Sequence, residues 1–156
     1  SHILRKDSII FPVNSSSKTD VVQELLNLLL NQKHLTEIVK LFSFIDDHDK
    51  LLNPAVGRGV AYHYSNSIEI KNPIAAFGIS HDGINYNSPD GQKVHFIFLI
   101  LDLSSDPTYH RKLITRFQHF INDIKNKSKI LSSNSSEDII ETIKNWENDY
   151  LLNENI

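Results

Sequence analysis

The sequence predicts an α/β layer fold, and three observations carry that expectation. Residues 94–101, VHFIFLIL, are apolar on both alternating faces, as a central strand covered by helices requires. Two stripes of apolar residues at helical spacing precede this run, and two follow it. Between the stripes lie short β-rich runs bounded by Gly, Pro and Asp, so strands are interleaved with helices and must be packed in layers.

Ser15, Ser16 and Ser17 precede TDVVQELLNLLL, in which Val22, Leu25, Leu26, Leu29 and Leu30 recur at helical spacing. Ser17 with Asp20 three residues on has the form of a capping box. HLTEIVKLFSFI predicts a second helix, with Leu35, Ile38, Val39, Phe42 and Ile45 on one side and Leu41 and Phe44 widening the stripe. It ends in Asp46, Asp47, His48 and Asp49. After a loop with Pro54, Gly57 and Gly59, a short strand VAY leads into HYSNS, where the chain is expected to leave the strand. Pro73 opens a strand through IAAFGIS, and Asp82-Gly83 and Asp90-Gly91 mark turns.

Past the central strand, Asp106-Pro107 reads as an N-cap followed by proline at the first helical position. His110, Leu113, Phe117, Phe120, Ile121 and Ile124 line one face of that helix, which puts His110 in its first turn, pointing inward. The polar stretch KNKSKILSSNSS connects to a last helix, where Ser135 and Asp138 suggest a cap and Ile139, Ile140, Ile143 and Trp146 supply the buried stripe. No internal repeat or long linker divides the chain, and residues 1–156 are expected to form one domain.

Composition narrows the function. A net charge of -3 with 22% charged residues gives no basic excess for a phosphate backbone, so nucleic acid is not an expected partner. Cys is absent, which removes disulfides, thiolate metal sites and cysteine nucleophiles and is compatible with a reducing cytosol, so a soluble cytoplasmic protein is expected. The longest apolar run, FIFLILDL, is far short of the roughly 20 residues that cross a bilayer, and no membrane insertion is expected. Met is also absent, and Ser1 and His2 are set aside as candidates for an expression remnant. The eight histidines show no H-x-H or H-E-x-x-H spacing, and neither a metal nor a cofactor is expected. His34, His81 and His119 read as solvated surface residues, and His95 as a partly buried, hydrogen-bonded ring.

Between Asp46 and Phe117 stand GRGVAYHYS, NPIAAFGIS with DGINYNSPDGQKVHFIFLIL, and HRKLITRF. On these motifs the segment resembles the type-2 IIA domains of the bacterial phosphotransferase system, the fructose, mannitol and nitrogen-regulatory group. The motifs follow the order and spacing of the family's G-x-G-I-A-I-P-H, D-G-x-P-V-x-L-I-F-L-L and H-L-x-x-L-A-x-L. The resemblance implies a mixed sheet covered on both faces by helices. It also implies a phosphoryl group accepted on one histidine from the histidine-containing phosphocarrier protein, then passed to a IIB domain or used as a signal to a regulated target. The stand-alone nitrogen-regulatory sort is the closest in architecture.

Such a site needs a neutral imidazole as nucleophile, donors or positive charge for the phosphoryl oxygens, and a group holding the ring in one tautomer. In the ungapped register the family's proline falls on His63, its reactive histidine on Tyr64, its second histidine on His110 and its arginine on His48. His63, Tyr64, His110 and His48 are therefore the candidate catalytic residues. Shifting His63 into the acceptor place requires two compensating indels, and neighbouring strand residues point to opposite faces unless the backbone turns there. Tyr64, with an ordinary pKa near 10 and no base in sight, reads as an aromatic filling the site. His48 among its aspartates reads either as a solvated ion-pair cluster or as a partial substitute for the arginine's charge. Two functions follow from these residues: a phosphoryl-transfer domain, or a degenerate regulatory domain that keeps the fold and docking surface. A weaker third is an anion-binding module.

Overall fold

The computed structural model describes residues 8–154, with side chains through 149; Ser1 and His2 lie outside the described residues. In chain order the elements are β1 (Ile9–Ile10), α1 (Lys18–Asn31), α2 (Val39–Leu51), β2 (Ala55–Gly57), β3 (Val60–Ser67), β4 (Ile74–Ile84), β5 (Val94–Leu103), α3 (Tyr109–Asn122), α4 (Ile124–Leu131) and α5 (Ser136–Glu154). The strands form one mixed sheet in the order β1-β4-β5-β3-β2. Its centre, β5, pairs antiparallel with β4 and parallel with β3.

Strand alternation divides the interior in two. Phe96, Phe98 and Ile100 of β5 join Val60, Tyr62 and Phe77 under α3, α4 and α5. Ile97, Leu99 and Leu101 join Ala61 and Ala76 under α1 and α2. The sheet is thus covered on both faces, as the sequence implies. Ser17 caps α1 by accepting from the Asp20 N–H, and Ser135 does the same for Asp138 at the last helix.

Several boundaries differ from the sequence expectation. β3 does not end at Tyr62 but runs in unbroken parallel register with β5 from Val60 to Ser67. The chain between α3 and α5 is not a plain connector: Asp123 caps a further helix, α4, by accepting from the Lys125 N–H. Helix α3 starts at Tyr109 with Thr108 as its N-cap, while Asp106 accepts a hydrogen bond from the Thr108 hydroxyl instead of capping. Val39 is 75% exposed and Ile124 78% exposed, so neither lies on the buried stripe. Ile124 falls where α3 has already stopped and α4 begins, which breaks the helical phase.

Candidate functional site

The extension of β3 decides where its side chains go. With no turn in the backbone, His63 and Tyr64 must project from opposite faces of the sheet. Tyr64 sits opposite Ile100, on the face that carries α3, and Asn66 sits opposite Asp102. Helix α3 begins shortly after β5 ends, which brings its second residue, His110, back over the strand ends. The His110 and Tyr64 rings are 4.0 Å apart with their planes 33° from parallel.

His110 is held from below. Asp102, the polar residue that closes the apolar run of β5, is 0% exposed, and its Oδ2 accepts from both the His110 backbone N–H (3.2 Å) and ring Nδ1–H (2.7 Å). An ionised carboxylate can only accept, so the proton lies on Nδ1 and the lone pair on Nε2. The imidazole side chain is 18% exposed. Asp102 Oδ1 is buried without a hydrogen-bond partner among the described residues.

The third ring arrives from the other layer. β2 pairs with β3 only at Val60 and Ala61, so α2 borders the strand's outer edge beyond that point. Near its end α2 extends His48 around that edge to 6.4 Å from Tyr64, edge to face. Between α2 and this edge opens a cleft of about 740 Å³, lined by Lys40, Phe44, His48, Tyr64, Asn66 and Ile68 among others. A second hollow of about 590 Å³ at the end of α1 shares Glu69 with it. The Tyr64 phenol pKa is raised, first by burial and then by the Asp102 charge, against smaller opposing effects of an Asn66 hydrogen bond and the Arg111 charge. Its hydroxyl is therefore a donor at neutral pH and a poor nucleophile.

His63 lies elsewhere. It is 0% exposed, facing α2, with Nδ1 2.8 Å from Asp49 Oδ2 and Nε2 2.8 Å from the Tyr86 hydroxyl. Burial, with the Asp49 charge second, pushes the Tyr86 pKa far up, so this phenol stays protonated and donates to Nε2 while Nδ1–H donates to Asp49. The fold thus gathers His48, Tyr64 and His110 and seals His63 behind the sheet. Sequence reasoning passed over Asp102, Asp49 and Tyr86. Only Asp102 left a signal, a charged residue on the inward face of a central strand, eight residues before His110.

A mixed sheet between two helical layers is the fold that the family resemblance implies, and in this chain rings from β3, α2 and α3 meet at one strand edge. The chain matches the family described as phosphoenolpyruvate-dependent sugar phosphotransferase system, EIIA 2, over residues 2–146, and it belongs to that family. Among curated proteins it is 25% identical over 143 residues to the PTS system fructose-specific EIIABC component of Bacillus subtilis (strain 168). That match takes in 92% of this chain and 22% of the relative, so the chain spans about a fifth of that protein's length. Among solved structures it is similar to nitrogen regulatory protein IIA-Ntr from Neisseria meningitidis, with TM-score 0.80 and 20% identity over 90% of this chain and 96% of that one. It is also similar to the complex of enzyme IIA-mannitol and phosphorylated enzyme IIB-mannitol from Escherichia coli, with TM-score 0.73 and 14% identity over 91% and 97%. The expected family and fold class are thereby shown. Among the described residues no helix is long and apolar enough to cross a membrane.

Proposed function

We propose that this domain works within a phosphotransferase system by receiving the phosphohistidine of the histidine-containing phosphocarrier protein beside the cleft lined by Tyr64 and His48, where His110 lies against Tyr64, with a IIB domain or a regulated target as its downstream partner. One observation carries the reading: rings from three separate elements meet beside an open cleft, at the strand end where the family resemblance puts its site. The phosphorylated IIB bound to a IIA relative supports the choice of partner class. Work with such carriers belongs in the cytoplasm. His63, with both ring nitrogens engaged and no exposure, has a structural role in this reading and takes no phosphate.

The test is a titration of the isotopically labelled domain with phosphorylated and unphosphorylated carrier, followed by NMR. Shifts centred on His48, Tyr64 and His110 are expected. Binding confined to another face, or none, overturns the proposal. A second reading, a regulator that binds its partners without ever carrying phosphate, is favoured by the raised Tyr64 pKa at the place of the usual acceptor.

A further inference from the structure

Resting on that docking, we propose that the phosphoryl group is passed to His110 Nε2, and that Asp102 is the residue positioning the ring for it. Each of the other three candidates lacks something the step needs. His63 offers no lone pair to solvent, because both ring nitrogens are bonded within the core. Tyr64 keeps its proton. His48 is exposed on α2, with no hydrogen bond among the described residues to fix its tautomer. His110 alone is anchored through one nitrogen and open through the other. The two nitrogens of an imidazole point away from each other, so with Nδ1 turned to the buried carboxylate, Nε2 is turned toward the exposed side of the ring.

Asp102 is an extravagant residue if its task is only to receive the His110 N–H in the first turn of α3. A serine, threonine or asparagine caps a helix without burying a charge. Here a carboxylate sits at 0% exposure, and its Oδ1 has no partner among the described residues. What a carboxylate adds is charge, and the transfer calls for it. The Nε2 lone pair forms a bond to the phosphorus of the partner's phosphohistidine, and the old N–P bond breaks with its electron pair returning to the partner's imidazole. The Nδ1 proton stays where it is. His110 becomes an N-phosphoryl imidazolium, whose positive ring is then paired with Asp102. Tyr64, tilted against the ring and still protonated, supplies an O–H donor beside the incoming oxygens, and Arg111 adds positive charge close enough to act on that phenol.

The experiment incubates the full chain with phosphoenolpyruvate, enzyme I and the phosphocarrier, maps acid-labile phosphate by mass spectrometry and assigns the ring nitrogen by phosphorus NMR. One phosphate on His110 Nε2 is expected. It should be absent in His110→Gln and retained in His63→Gln. Asp102→Asn preserves a helix-capping acceptor but removes the charge, so the domain should still dock while label appears at least about tenfold more slowly. Nitrogen-15 spectra should then show loss of the single Nδ1–H tautomer, a change that a merely structural role would not produce. Label on Tyr64 or His48, phosphate on Nδ1, an unchanged rate in Asp102→Asn, or docking without any label each overturns this inference alone. A carrier that does not dock at all overturns the underlying reading together with it.

Discussion

At Tyr64 a phenol stands where the pattern implied by the family resemblance has its reactive histidine, a departure accompanied by those at His63 and His48. Because burial and the Asp102 charge raise its pKa, the phenol should ionise above the ordinary value near 10. A raised folded value means that its contribution to stability is complete below the unfolded pKa and disappears as pH rises through the folded one. Tyr64→Phe should remove one late step from an alkaline absorbance titration and leave the neutral range unchanged. Tyr64→His restores an imidazole beside His110 and should add acid-labile phosphate at position 64 in the reconstituted system. His63 matters to the fold rather than to the site. His63→Ala strands the buried Asp49 carboxylate without its partner, at a cost of about 3–5 kcal/mol in urea unfolding, with His63→Gln recovering part of it.

Among the elements, β3 and α3 position the site, and each depends on a local device. The turn into β3 places Arg58 at a φ of 59°, a region that side chains other than glycine enter at a cost. Asp90 holds it there by accepting from the Arg58 N–H at 2.8 Å, and Lys127 donates to the Arg58 carbonyl, also at 2.8 Å. The N–H groups of Arg58 and Gln92 pull the Asp90 pKa down. The turn's support is therefore intact above the ordinary carboxylate pKa near 4 and is lost as pH falls through the lower folded value. In Asp90→Asn that acid-side loss should be weaker when urea midpoints are compared across pH. Helix α3 is seated by Phe117, whose ring lies 4.0 Å from Phe98 and 5.4 Å from Phe77. Phe117→Ala should destabilise the fold by about 3–5 kcal/mol in the same assay. The stripe through Phe117 and Phe120 was legible because its period survives in sequence. The break between α3 and α4 was not, because it turns on one aspartate's choice of hydrogen-bond partner.

For the whole molecule, the sheet acts as a partition, and this explains both what the sequence disclosed and what it hid. The double-faced pattern of residues 94–101 predicts helices on both sides, and the two cores match its alternation from Phe96 to Leu101, while Val94, beyond the register shift between Ile79 and Ile84, joins the core of Ile97 and Leu99. The placing of Tyr64 with His110 came from the family resemblance, whose pattern laid on the chain without gaps puts both at one site. What spacing could not supply was the partners: Asp49 lies 14 residues from His63 and Tyr86 lies 23, separations with no local period to betray them. The same partition yields a test at this scale. Histidines 63 and 110 stand on opposite sides of one sheet, each on a buried aspartate, but only the second lies against Tyr64, which lines the cleft. His63→Gln should lower the urea midpoint and leave phosphorylation of the folded fraction unchanged. His110→Gln should abolish phosphorylation, with a smaller loss of stability because its ring is partly solvated and its carboxylate can still accept the helix N–H. If the two variants shifted stability and labelling together, the faces would be coupled through the sheet, and the division of a structural histidine from a reactive one would have to be abandoned.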